Sequence, residues 1–70
     1  MNIACADATT VATVRAVLLE HGLVHVREQG PNFGDPMIWL LATVPVTSSY
    51  DKERAARRAI AQIAGATLYS

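Results

Sequence analysis

Two rhythms of apolar and polar residues alternate along this chain, and they succeed each other in the order β-α-β-β-α-β. In residues 1–6, Ile3 and Cys5 alternate with Asn2 and Ala4, a period of two that predicts a strand. Asp7 follows as a helix N-cap, because its carboxylate can accept hydrogen bonds from the free amides of a first turn. From Ala8 to His21 the apolar residues Val11, Val14, Val17 and Leu18 fall at helical spacing, and Gly22 suits the left-handed position just past a helix end. Leu23 to Glu28 returns to alternation, with Val24 and Val26 on one side and His25 and Arg27 on the other. Residues 29–36 are dense in turn formers and predict a loop.

The third strand, Met37 to Val46, differs from the others in being apolar on both faces, and Pro45 marks its end. Thr47-Ser48-Ser49 opens a second helix, with Ser48 and Asp51 spaced like a capping box. Ala56, Ala59, Ile60, Ile63 and Ala64 form its buried stripe. Glu53 lies one turn before Arg57, in the favourable order for an ion pair. Gly65 ends this helix, and Ala66 to Ser70 supplies a short last strand with Leu68 and Tyr69.

Two βαβ halves joined by a hairpin predict an α+β fold over residues 1–70. The expected form is a ferredoxin-like two-layer sandwich, a four-stranded antiparallel sheet with two helices on one face. The first and third strands take its centre. The helix-facing set is then Ile3, Cys5, Val24, Val26, Ile38, Leu40, Ala42, Val44 and Leu68. The open face shows Asn2, Ala4, His25, Arg27, Met37, Trp39, Leu41, Thr43, Thr67 and Tyr69. A one-residue slip in the third strand would exchange Trp39 and Leu40, but either register leaves a large apolar residue on the open face. An interface there is expected from Trp39, Leu41, Met37, Tyr69 and Arg27.

Size reinforces this expectation. Seventy residues make a single domain that buries a modest share of its surface. Small domains gain stability from disulfides, metals or association. Cys5 is the only cysteine, which excludes a disulfide within the chain, and no ligand cluster at metal spacing is present. Association remains, as a homodimer or with a larger protein partner.

Six basic and six acidic residues balance, which argues against a dedicated nucleic-acid binder. The longest purely apolar run, Met37 to Ala42, is too short for a membrane span. No signal-peptide pattern stands at the N-terminus, and an unpaired cysteine fits a reducing, cytoplasmic setting.

The candidate chemistry is sparse. His21 and His25 are separated by a helix end and need not share a face, so they read as a last-turn residue favoured by the helix dipole and an exposed strand residue. Cys5 reads as a small core hydrophobe rather than a nucleophile. No catalytic residue, cofactor or metal site is expected. Arg54, Arg57 and Arg58 gather on one side of the second helix, either as a solvated face or as a docking surface for an acidic group. The loop of residues 30–36 carries Phe33, a second docking candidate. Trp39 and Tyr69 could stack on bases, but the first strand offers only Asn2 and Ala4 where a further aromatic would be wanted.

The stretch from Asp7 through Glu20-His21-Gly22-Leu23-Val24 resembles the opening of ACT domains, small regulatory modules of amino-acid metabolism. Their βαββαβ order is also similar. The resemblance implies pairing through sheets and, as a second kind of partner, a small ligand near the loop after the first strand. The chain departs from that family at Ala8-Thr9-Thr10, where a proline-glycine turn usually approaches the ligand. Heavy-metal-associated domains share the layout, but their paired-cysteine loop is absent. The leading expectation is a non-catalytic binding or regulatory module that self-associates. The first alternative is a small phage-type inhibitor that docks on a host or defence complex such as a CRISPR effector. A small dimeric enzyme ranks last, since no convergent acid, base and pocket residues are visible.

Overall fold

The computed structural model describes residues 1–44 and 50–69. Its elements are β1 (Asn2–Cys5), α1 (Ala8–Glu20), β2 (Val26–Gln29), β3 (Ile38–Ala42), α2 (Tyr50–Ala61) and β4 (Ala66–Leu68). The strands form one sheet in the order β2-β3-β1-β4, with antiparallel pairing throughout. This is an α+β domain compatible with a ferredoxin-like sandwich. No helix among the described residues is long and apolar enough to cross a membrane.

Registers set the two faces. Ile3 pairs with Leu40 and Leu68, while Cys5 pairs with Ile38 and Ala66. Ala4 pairs with Trp39 and Thr67, and Arg27 with Leu41. Opposed residues share a face, so no slip has exchanged Trp39 and Leu40. Both helices pack on the Ile3–Leu40 side, where Ile3, Cys5, Leu40, Val14, Leu18, Ala56 and Ile60 form a core with no solvent exposure. Burying one such leucine or isoleucine contributes about 1.5–3 kcal/mol.

The ends of α1 show how local chemistry sets its length. Asp7 caps the helix as expected: its Oδ1 accepts from the Thr10 amide at 2.8 Å and from the Thr10 hydroxyl at 2.9 Å. These bonds hold the Asp7 carboxyl below the usual carboxylate range. At the other end His21 is the C-cap and Gly22 takes a φ of +80°. The Leu23 amide donates back to the Leu18 carbonyl at 2.9 Å, and the Gly22 amide to that of Leu19 at 3.0 Å. This is a Schellman closure, in which a hydrophobic residue after the glycine packs against the last turn. Leu23 is accordingly buried beside Leu18.

That closure corrects the expected second strand. Leu23 belongs to the helix end, and β2 begins only at Val26. Val24 is therefore exposed instead of facing the helices, and His25 precedes the strand. The third strand is also shorter than Met37–Val46, since its ladder covers Ile38–Ala42. Its expected end at Pro45 and Val46, and the helix opening at Thr47-Ser48-Ser49, lie outside the described residues, as does Ser70. The second helix stops at Ala61, four residues before Gly65. Single-turn hydrogen bonds follow from Gln62 to Ala59 and from Ile63 to Ile60. Ala64 is consequently exposed rather than part of the buried stripe.

Candidate interaction surface

The helix-free face of the sheet is built on β3. Trp39 and Leu41 point to it by register, and Met37 continues their parity just before the strand. All three are half-buried, yet none joins the core on the helix side. Arg27 and Tyr69 on the same side are exposed. The structure thus brings the five expected interface residues to one face.

This face is partly closed by the chain itself. Tyr69 is anchored beside β1 by its amide, which donates to the Asn2 carbonyl at 2.9 Å. Its ring lies 5.1 Å from that of Trp39, tilted by 51°. Trp39 stands on one side of β1 and Tyr69 on the other, so the pair spans that strand. Ala4, between them, retains only 1% exposure although no helix covers it. Aromatic pairs at this separation contribute about 0.5–1.5 kcal/mol beyond their burial.

The loop before β3 fixes the indole from its other end. The Asp35 carboxylate accepts from Trp39 Nε1 through Oδ2 at 3.0 Å and from the Met37 amide through Oδ1 at 3.1 Å. Asn32 and Asp35 exchange two backbone bonds of 3.0 Å around Phe33 and Gly34. Gly34 has a φ of +85°, as the third position of a type II turn requires. Phe33 stands fully exposed at the tip. Phe33, expected in a loop, sits at the tip of a closed turn, and Asp35 ties that turn to β3. The Asp35-x-Met37 spacing, in which an aspartate bonds the backbone two residues on, was the available signal.

The three arginines of α2 have different neighbours. Arg57 is drawn to Glu53, with Nη2 to Oε1 at 3.2 Å, as the spacing predicts. Arg54 lies over the Tyr50 ring at 5.6 Å. Arg54 and Arg58 flank a shallow depression with Asp51 and Ala55, and that acidic neighbour offsets their charge.

Cys5 is fully buried, and its thiol is pushed up chiefly by that burial and secondarily by the negative charges of Asp7 and Glu28. Burial of this kind lowers the reactivity of a thiol. Among the described residues, no three His, Cys, Asp or Glu side chains gather as a metal site.

Comparison of the chain with protein-family models, with curated proteins and with solved structures gives no match. The fold and surface define the class to this extent: a small α+β domain whose sheet has one helix-covered face and one aromatic, open face.

Proposed function

We propose that the chain is a non-catalytic protein-binding module of ferredoxin-like topology that self-associates through the open face of its sheet. Trp39 and Leu41 form the contact, and Met37, Tyr69 and Arg27 surround it. One observation carries this reading: Met37, Trp39 and Leu41 put large apolar side chains on a face to which neither helix is applied. Their arrangement also lowers the cost of association. Trp39 is held by both Asp35 and Tyr69, so little side-chain freedom is lost when a partner arrives. A two-fold pairing uses the same patch on both copies, which suits a flat sheet face. The wider role is regulatory in the sense of the ACT resemblance, with association as the quantity a ligand would adjust.

Light scattering coupled to size exclusion tests this on the wild type and on Leu41→Arg, which places a charge in the contact without touching the core. The expected result is a wild-type dimer at high micromolar concentration and a folded, monomeric variant. A wild type that stays monomeric overturns self-association and gives the face to a foreign partner, the docking-inhibitor alternative.

A further inference from the structure

The open face carries a cation without a counter-charge. Arg27 pairs in register with Leu41 and is exposed on that side of the sheet. Among the described residues the ion pairs join Arg15 to Glu28 and Arg57 to Glu53, so Arg27 enters neither. The chain has six acidic side chains, and all but one belong to the helix side. Asp7 caps α1 and Glu20 ends it, while Asp51 and Glu53 stand on α2. Glu28 shares the parity of Leu40 and reaches Arg15 on α1. Asp35 alone reaches the open face, where its carboxylate accepts from the Trp39 indole and the Met37 amide. Arg27 and Asp35 thus mark opposite ends of the Leu41–Trp39–Met37 row. The row is about 13 Å long, at the usual rise of an extended chain.

Given the self-association proposed above, on which this rests, we infer that Arg27 of each copy bonds Asp35 of the other, and that these two reciprocal ion pairs set the orientation of the dimer. A face-to-face pair has two simple two-fold axes. An axis along the strands keeps the Leu41 ends of the two rows together, which leaves Arg27 far from an acid. An axis across the strands at Trp39 reverses one row against the other. Leu41 then meets Met37 of the second copy, Trp39 meets its equivalent, and Arg27 stands over the end where Asp35 is held. Such an isologous contact makes each pair twice. Asp35 has capacity for the guanidinium. Each of its oxygens accepts one of the two bonds from Trp39 and Met37, and an ionised carboxylate offers about four acceptor positions. Each copy brings one cation and one anion to the covered face, so a second copy of this chain matches both charges. A wholly apolar partner would leave Arg27 covered and unpaired, which is costly. Charge complementarity of this kind fixes register and excludes wrong pairings more than it adds affinity.

Sedimentation equilibrium on the full chain reads the dissociation constant of the dimer, and circular dichroism checks that each variant is folded. Arg27→Glu should weaken pairing by about tenfold or more, because two attractive pairs become two repulsive ones. Asp35→Lys should weaken it as well. An equimolar mixture of these two variants should associate more tightly than either alone, since in the mixed dimer both facing pairs are again of opposite sign. Damage to the Trp39 side chain would not be repaired by mixing. A milder cycle avoids that damage altogether, because Asp35→Asn keeps an oxygen for the indole. Arg27→Gln should weaken the wild-type dimer by about threefold, the scale of an exposed ion pair, and leave the Asp35→Asn dimer unchanged. A dimeric wild type indifferent to Arg27→Glu, or a mixture no tighter than its components, overturns the ion pairs and leaves the open-face contact standing. A monomeric wild type overturns both.

Discussion

β3 presents two apolar faces that the molecule treats differently. Leu40 points to the helices and is wholly enclosed, whereas Leu41, its neighbour in the chain, is half-exposed on a face without a helix. On the first face, shape is set by many side chains contributed by both helices and all four strands. On the second it is set by a few specific ties: the Trp39–Tyr69 ring pair and the Asp35 carboxylate. Hydrophobicity alone does not distinguish these faces. The difference lies in whether a second layer arrives, and that is decided by the connections between elements rather than within the strand.

The largest expected contrast is between Leu40→Ala and Leu41→Ala. Truncating the enclosed leucine should cost about 2–5 kcal/mol, since it leaves a cavity. Truncating the half-open one should cost only about 1 kcal/mol of transfer energy in a dilute monomer. Urea unfolding measured at low and high protein concentration reads both. A Leu41→Ala cost that grows with concentration would show that a partner covers the face. The next effect is Trp39→Phe, which keeps an aromatic ring but removes the donor to Asp35. It should destabilise by about 1 kcal/mol, the usual net value of a hydrogen bond. If it costs nothing, the bond from the indole to Asp35 adds no net stability to the open face.

The smallest effect concerns pH and the helix side alone. The Asp7 carboxyl is lowered by its bonds from Thr10, so the folded state favours the charged form. Its contribution is fully present above the unfolded carboxylate value of about 3.9 and disappears as pH falls through the lower folded value. Denaturant midpoints of the wild type and of Asp7→Asn should keep a constant gap above about pH 4 and change it below. An identical pH profile for both chains would show that the carboxylate charge adds nothing to the cap.

Much of the helix-side architecture was legible in the chain because local signals and tertiary packing agree there. Asp7 and the spacing of Val11, Val14 and Leu18 specify both the start of α1 and its buried stripe. The alternation in β1 likewise identifies its two faces, whereas β3, apolar on both, takes its facing from its register with β1. Legibility fails where a residue serves two roles. Leu23 fits a strand alternation and a Schellman closure equally well in pattern, and the closure prevails because it places the side chain against Leu18. Val24 loses its expected burial as a result. The open face was legible as a set of residues but not as a structure. The Trp39–Tyr69 contact depends on β1 lying between their strands, and the Asp35 tie on a loop turning back toward β3. Neither is written in local periodicity. Among the arginines, spacing identified the Glu53–Arg57 pair, which forms as expected.

β2 forms an outer edge of the sheet, and its exposed residues Arg27, Glu28 and Gln29 decide how that edge meets another like it. In an antiparallel join about a two-fold axis, opposed residues share a face, so an axis through Arg27 sets guanidinium against guanidinium. An axis through Glu28 sets carboxylate against carboxylate. Like charges placed directly opposite destabilise a strand pair, and charged edges are a common guard against unwanted sheet growth. In these two registers like charges meet, so a symmetric join of β2 to β2 carries an electrostatic cost.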